Sequence, residues 1–305
     1  LPSILNESEC VHIRNGIWNF FERISKTWTI PIRRNNPTSW KEYAKLQPLH
    51  GMLMQNYHVG HAQVSWDVRQ NERIIDIFSK IWECTNEELI VSFDGLGFGI
   101  PPEITNCGWQ HRAKSSSFHT DQSFTTPDFN CVQSWVTAED VCDGDATLAF
   151  YSGSHMYHKE FADTFSVKDK KDCKKDWYRL NEEELQFYRD RGCEPKRIRC
   201  PKGSMVLWDS RTIHCGGQPI YERTSPKFRY IIYLCYLPRN KCSDKNMKKR
   251  IDAFKNMKSM SHNAVSARPF GDQPARDYGK IRPEITKIEP PILNEIGLQL
   301  IGATV

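Results

Sequence analysis

Apolar positions change their period along the chain, and the change divides it into regions. In residues 6–25, Ile13, Ile17, Phe20, Phe21 and Ile24 keep helical spacing, and Asn6 with Glu9 three residues later forms a capping-box pattern. This predicts a helix with one buried face. A second helix is predicted over Arg69–Glu83, where Ile74, Ile75, Ile77, Phe78, Ile81 and Trp82 are too apolar for an exposed helix and imply packing against a sheet. From Leu89 the texture becomes short apolar runs broken by Gly and Pro: LIVSF, GLGFGIPP, CVQSWVTA, TLAFY, SMVLWDS and FRYIIYLCYLP, each read as a strand. Among them Asn181 opens a helix, with Glu184 at the capping-box position and Gly192 as its stop. Lys241–Lys258 reads as a helix, and the proline-containing tail beyond Arg268 as an extended strap.

Composition narrows the class. With 39% hydrophobic, 11% aromatic and 26% charged residues, a chain of 305 residues is globular rather than disordered or fibrous. No repeat at a solenoid or propeller period occurs, so 1–305 is expected to be a single domain. Its parts are helical support over 1–88, a strand-rich core over 89–240 with an insertion near 160–195, and a helix and strap over 241–305. The net charge of +5 is too small for a dedicated nucleic-acid binder. The basic segment Lys168–Lys175 reads as a solvated loop or helix face. Eleven cysteines without CxxC pairs favour reduced thiols in an intracellular, cytoplasmic setting over a secreted disulfide framework. No apolar run is long enough for membrane insertion. The first residues lack a signal-peptide pattern, although the chain begins without Met, which leaves a removed leader open.

The chemistry concentrates in Phe118-His119-Thr120-Asp121-Gln122 and, far downstream, Thr212-Ile213-His214-Cys215-Gly216. Residues two apart on a strand face the same way, so His119 and Asp121 can both point into a barrel, with His214 arriving from another strand. A 2-His-1-carboxylate set occupies one face of an octahedral iron and leaves the other positions open, the arrangement oxygenases use. Further on, Arg229 opens the apolar run RYIIYLCYLP. An arginine facing a barrel interior needs an anionic partner. The distal carboxylate of 2-oxoglutarate supplies one in bidentate geometry. Taken alone, a structural ion pair is the simpler account of Arg229, and a hydrogen-bonded core residue the simpler account of a lone histidine.

Taken together, HTDQ, CVQSW, DGDATLAFYSGSH, GSMVLWDSRTIHCGG and FRYIIYLCYLP resemble the phytanoyl-CoA dioxygenase-like branch of the iron(II)- and 2-oxoglutarate-dependent oxygenases. The resemblance covers roughly residues 89–240. It implies a mainly β fold with flanking helices, a double-stranded β-helix or jelly roll. His119, Asp121 and His214 would be the iron ligands and Arg229 the 2-oxoglutarate anchor, with Gln133 or Trp135 near the cosubstrate. The implied reaction uses O2, hydroxylates a C–H bond and releases succinate and CO2. Hydroxylation is favoured over halogenation because Asp121 keeps the carboxylate ligand. The interval from His214 to Arg229 is long for the family, and Arg223 competes for the anchoring role. Arg229 is preferred because it lies in a strand. The substrate is expected to be a small molecule, with a macromolecule as the second choice.

Other groups weigh less. His58 and His61, with His50 nearby, read as polar surface rather than a zinc site. His155 and His158 are expected in a loop rimming the barrel. Asp94 reads as a turn former ahead of Gly95. Asp209 and Arg211 are expected to orient the His214 strand. Two rival readings stay open: a jelly-roll binding or regulatory protein without turnover, and a cupin-like metalloenzyme that does not use 2-oxoglutarate and has no need of Arg229.

Overall fold

The chain opens with the expected helix, α1 (Glu7–Ile24), and its start follows from the capping box: Glu9 N–H donates to Asn6 Oδ1 at 3.0 Å and Asn6 N–H to Glu9 Oε2 at 2.8 Å. The buried face is Ile13, Ile17, Phe20, Phe21 and Ile24. It meets the edge-on ring of Phe98, which lies 5.1 Å from Trp18 and 4.8 Å from Phe21. Trp18 Nε1 donates to Tyr230 Oη at 2.8 Å, so the helix also has a polar tie to the sheet. Each such fully buried side chain contributes about 1.5–3 kcal/mol from removed apolar area. The computed structural model describes residues 1–49, 51–106, 117–167, 176–221, 223, 225–274, 279 and 281–302.

Beyond α1 come a 3-10 helix (Pro37–Leu46), β1 (Leu53–Met54), α2 (Gln63–Arg69), α3 (Glu72–Trp82), β2 (Leu89–Val91), β3 (Leu96–Gly99) and α4 (Pro102–Thr105). Then follow β4 (His119–Thr120), β5 (Val132–Thr137), β6 (Thr147–Tyr151), α5 (His158–Thr164), β7 (Tyr178–Arg179), α6 (Glu182–Arg189) and β8 (Pro195–Arg197). The remainder is β9 (Met205–Asp209), β10 (His214–Gly217), β11 (Arg229–Leu234), β12 (Tyr236–Pro238), α7 (Asp244–Lys255) and α8 (Glu295–Ile301). All pairings among these strands are antiparallel.

Two five-stranded sheets result, one ordered β1-β3-β11-β5-β9 and the other β7-β4-β10-β6-β8, with β12-β2 as a separate pair. This is the double-sheet jelly roll, mainly β with flanking helices. Its interior is joined by Trp135 and Ile231 from the first sheet packing with Leu148 from the second. The outer face of the first sheet is covered by α1, α2 and α3, whose buried side chains share one cluster with Val91, Phe98, Val136, Ile232 and Leu234. The expected insertion builds a second cluster from Phe161, Leu185, Phe187 and Tyr188 against Phe124 and Tyr178.

Several expectations need correcting. The helix expected over Arg69–Glu83 is α3, Glu72–Trp82, and only its start differs: Arg69 ends the separate α2, and Asn71 caps a fresh start by accepting a hydrogen bond from Arg73 N–H at 3.1 Å. The strap does not stay extended to its end: Asn294 caps α8 by accepting from Gly297 N–H at 2.9 Å. His61 is buried rather than surface: its Nε2 pairs with Lys258 O at 3.0 Å, its ring lies among Trp66, Phe93 and Phe254, and burial lowers its pKa to about 3. His58 Nδ1 pairs with Met257 O at 2.9 Å, so both histidines tie down the segment after α7. Lys168–Lys175 and His50 lie outside the described residues. No helix among the described residues is long and apolar enough to cross a membrane.

Candidate metal centre

β4 and β10 are hydrogen-bonded neighbours, and their register sets His119 directly opposite His214. The ring centroids are 4.5 Å apart. Asp121 follows β4 immediately, and its carboxylate meets both rings: Oδ2 is 3.2 Å from His214 Nε2, and Oδ1 is 3.8 Å from His119 Nε2. One ligand atom from each of the three lies within 4.8 Å of the others, the only such group able to hold a metal ion among the described residues.

The tautomers are set by the backbone. His119 Nδ1 pairs with Ser117 O at 2.9 Å, and His214 Nδ1 with Thr212 O at 2.8 Å. A carbonyl only accepts, so each ring carries its proton on Nδ1 and turns the Nε2 lone pair toward Asp121. Burial lowers the His119 pKa to about 4 against the opposing pull of Asp121, which keeps the imidazole neutral at pH 7. Burial alone would raise Asp121, but the neighbouring His119, His262 and His214 outweigh it and hold the carboxyl below its ordinary range. Two imidazole nitrogens and one carboxylate gathered within reach of a common point are the donor set that suits iron(II).

The turn joining β9 to β10 is stitched to the HTDQ segment, which explains why the donors converge. Ser210 O accepts from Asp121 N–H at 3.2 Å and from Thr120 Oγ1 at 3.1 Å, while Ser210 Oγ donates to Gln122 Oε1 at 2.6 Å. Asp209 and Arg211 clamp the same turn through Nε to Oδ1 at 3.0 Å and Nη2 to Oδ2 at 2.7 Å, and Arg211 Nη1 also donates to Pro127 O at 3.1 Å. Gln133, on β5, donates from Nε2 to Asp121 Oδ2 at 3.1 Å and so orients the carboxylate.

Arg229 starts β11 and is 6% exposed. Its Nη1 donates to Ala146 O at 3.0 Å and its Nη2 to Tyr233 Oη at 3.3 Å, while Nε has no partner. No carboxylate pairs with it among the described residues. Room for the side chain comes from Gly97 on β3, where an added Cβ would sit 3.2 Å from Arg229 Nε and 3.0 Å from Ile231 Cβ. Trp135 is fully buried beneath, its ring centroid 5.8 Å from the guanidinium carbon, and packs with Leu148 and Ile231 rather than lining the cavity. Arg223 is already committed: Nε and Nη2 donate to Glu103 at 2.7 and 2.8 Å, and Nη1 to Asp145 at 2.7 Å.

The metal set and Arg229 open into one cavity of about 350 Å³ between the two sheets. Its apolar walls are Leu49, Met52, Leu53, Leu148, Trp177 and Trp208. Gln55, Asp94, Thr147, Arg179 and His262 line it as well. Asp94 does accept from Gly95 N–H at 2.7 Å as a turn former should, yet it also faces the cavity. Neither His155 nor His158 lines it. His158 is buried in α5, stacked on Phe124 at 4.3 Å with Nε2 3.3 Å from Ser123 O, and burial lowers its pKa to about 4.

A jelly roll with a 2-His-1-carboxylate set and a buried unpaired arginine opening on one cavity defines a class of protein before any relative is considered. Residues 47–223 match the family profile described as Phytanoyl-CoA dioxygenase (PhyH), and the chain belongs to that family. It is 24% identical over 219 residues to "Ava biosynthesis cluster protein O" of Aspergillus versicolor, a match covering 68% of this chain. The chain spans 64% of the length of that relative. Similar solved structures include HygX from Streptomyces hygroscopicus with nickel and 2-oxoglutarate bound, at 11% identity and a TM-score of 0.42, covering 78% of this chain and 81% of that one. Another is EvdO2 from Micromonospora carbonacea var. aurantiaca, at 15% identity and a TM-score of 0.44, covering 78% and 85%.

Proposed function

We propose that the chain is an iron(II)- and 2-oxoglutarate-dependent dioxygenase that hydroxylates a C–H bond of a small molecule. The observation that carries this is Arg229: a buried guanidinium without a carboxylate partner among the described residues, in the same cavity as His119, Asp121 and His214. A cation held there without an anion costs several kcal/mol, on the order of the penalty for an unpaired buried charge, so the site calls for an anionic ligand. A dicarboxylate satisfies both ends, one at Arg229 and one at the metal. A cupin-like metalloenzyme working without 2-oxoglutarate has no use for that cation.

In this reading His119 and His214 each offer Nε2 and Asp121 a carboxylate oxygen. Gln133 keeps Asp121 Oδ2 turned toward the donors, and the Ser210 turn holds the two histidine strands in register. Arg229 receives the distal carboxylate of 2-oxoglutarate, with Tyr233 and Ala146 O fixing the plane of its fork. Iron(II), 2-oxoglutarate and O2 supply the oxidising chemistry, with release of succinate and CO2. Trp208, Leu148 and Met52 keep the walls apolar and water out. A cavity of about 350 Å³ suits a small molecule rather than a folded macromolecule. The biosynthesis-cluster name of the Aspergillus versicolor relative agrees with that class of substrate.

The test is anaerobic titration of the iron(II)-loaded protein with 2-oxoglutarate, followed by its visible absorption, then succinate release on admitting air. The expected outcome is an absorption band and succinate from the native protein and neither from His214→Ala. If the native protein takes up iron(II) but 2-oxoglutarate neither binds nor alters the spectrum, the proposal fails.

A further inference from the structure

The cavity has a second polar wall that the proposed reaction leaves unused. Asp94 lies between β2 and β3, where the chain bends at Gly95, and is 6% exposed. The bend is tight: a Cβ at Gly95 would fall 1.8 Å from Met54 O. Both hydrogen bonds to the Asp94 carboxylate go to one oxygen, Oδ1, from Gly95 N–H at 2.7 Å and Gln55 Nε2 at 3.4 Å. Among the described residues nothing donates to Oδ2, although Asp94 lines the cavity. His262, from the segment after α7, lines the same cavity, and its buried Nε2 has no partner. It shares the cavity wall with Asp94 and with Asp121, and acts electrostatically on both. Arg69 is a cation that acts on Asp94, but its Nη atoms donate to main-chain oxygens, of Gly60 and of Asp94 itself, and not to the carboxylate.

Charge accounting gives the chemistry of the missing partner. On the proposed reading of the metal centre, Asp121 and a doubly charged 2-oxoglutarate are matched by a divalent cation and Arg229, and Arg179, the other arginine lining the cavity, makes no hydrogen bond to the Asp94 carboxylate. Asp94 is then the carboxylate of the cavity left without a hydrogen-bonded cation: burial raises its pKa, and a cation arriving beside it is what would hold it ionised. We propose that Asp94 Oδ2 and His262 Nε2 together receive a basic nitrogen of the substrate, a protonated amine on an otherwise apolar or aromatic small molecule. This pair orients the substrate with its apolar body between Trp208 and Trp177, toward the metal donors. The inference rests on the proposed reading of the metal centre.

Three indoles of matched shape test it: tryptamine, tryptophol and 3-indolepropionic acid. Their binding is measured by saturation-transfer NMR on the full chain loaded with zinc(II) and 2-oxoglutarate. The 2-oxoglutarate signal in the same sample reports separately on the Arg229 site, so a failure of that reading is seen as loss of this signal. Tryptamine is expected to bind about tenfold or more tightly than the alcohol or the acid, as a charge-assisted pair does over a neutral one. Asp94→Asn should abolish that preference while 2-oxoglutarate still binds. His262→Gln, a change in a loop segment, should reduce it and guards against misfolding of the Asp94 variant. Equal binding of the three probes, no binding of tryptamine, or a preference that survives both substitutions would overturn the proposal.

Discussion

The two sheets contribute to the site in different ways. β7-β4-β10-β6-β8 carries the metal donors on strands as short as the two residues of β4, and these donors are fixed mainly by a turn, Asp209 to Thr212, clamped to the HTDQ segment. β1-β3-β11-β5-β9 carries Arg229 at the start of the six-residue strand β11, whose other positions are almost all buried. One sheet brings side chains that need each other: two histidines and a carboxylate. The other brings a charge that, among the described residues, finds only a carbonyl and a phenol oxygen. A charge kept in a strand core without a counter-ion is stable only if something else arrives, and that separates a ligand site from a structural ion pair.

Arg223 sharpens the contrast, since it lies only six residues before Arg229 and its side chain is buried as well. Its side chain is 1% exposed and is satisfied by Glu103 and Asp145. The most damaging change should therefore be at Arg229. Arg229→Ala is expected to weaken 2-oxoglutarate binding on the order of a thousandfold, the cost of truncating one partner of a buried charge pair. Metal binding should be unchanged, and the affinities can be read by calorimetry on the metal-loaded protein. An Arg229→Ala protein that holds 2-oxoglutarate within about tenfold of native would assign the anchor elsewhere.

Arg223→Met should do the reverse. It strands two carboxylates, Asp145 at 4% side-chain exposure and Glu103, whose pKa is held down first by its hydrogen bond to Arg223. The expected loss is about 3 kcal/mol of unfolding free energy in urea, as for a broken buried pair, with 2-oxoglutarate affinity little changed. A large loss of 2-oxoglutarate binding with native stability would make Arg223 the anchor and erase the distinction drawn between the two arginines.

The helical flank offers a test that leaves the site alone. His61 and His158 are buried as neutral rings with pKa values lowered to about 3 and about 4, in each case by burial first. In the unfolded chain a histidine titrates near its ordinary value of about 6.5. Between those values the unfolded chain binds more protons, so stability is fully present above about pH 6.5 and falls as the pH drops toward the folded values. From pH 6.5 to 5 the loss should be about 2 kcal/mol per histidine. His158→Gln keeps a donor for Ser123 O and should flatten its share of that slope in urea midpoints measured across this range. An unchanged slope would mean that the ring is not neutral in the fold.

Much of this arrangement could be read from sequence, and the parts that could not share a physical cause. His119, Asp121 and His214 stand in segments whose strand register makes them meet, and Arg229 could be preferred over Arg223 because it opens an apolar strand. The helix starts at Asn6 and Asn181 followed from their capping boxes. What escaped was set by long-range packing. His262 joins the cavity from a segment without periodicity, and Asp94 serves a local turn and the distant cavity at once, so its turn chemistry concealed its second neighbour. His61 and His158 carry no sequence sign of burial, because their partners are the main-chain oxygens of Lys258 and Ser123. Trp135 shares the inward face of β5 with Gln133, but alternation cannot tell the residue that reaches the cavity from the one that supports Arg229 beneath it.

Gln133 is the smallest and most specific test of how the sheets cooperate, because it is the link from the Arg229 sheet to the metal donors. Its amide holds Asp121 Oδ2 at 3.1 Å, the oxygen that also lies 3.2 Å from His214 Nε2. Gln133→Leu keeps the volume and removes the donor, so Asp121 stays charged but loses the group that fixes its rotation. Partners of this kind are worth about tenfold to a hundredfold in metal affinity. The expected result is weaker iron(II) binding of that order, with 2-oxoglutarate affinity at saturating metal preserved because Arg229 is untouched. Loss of 2-oxoglutarate binding at saturating metal would instead put Gln133 in contact with the cosubstrate, and unchanged iron(II) affinity would mean that the histidine strands alone position Asp121.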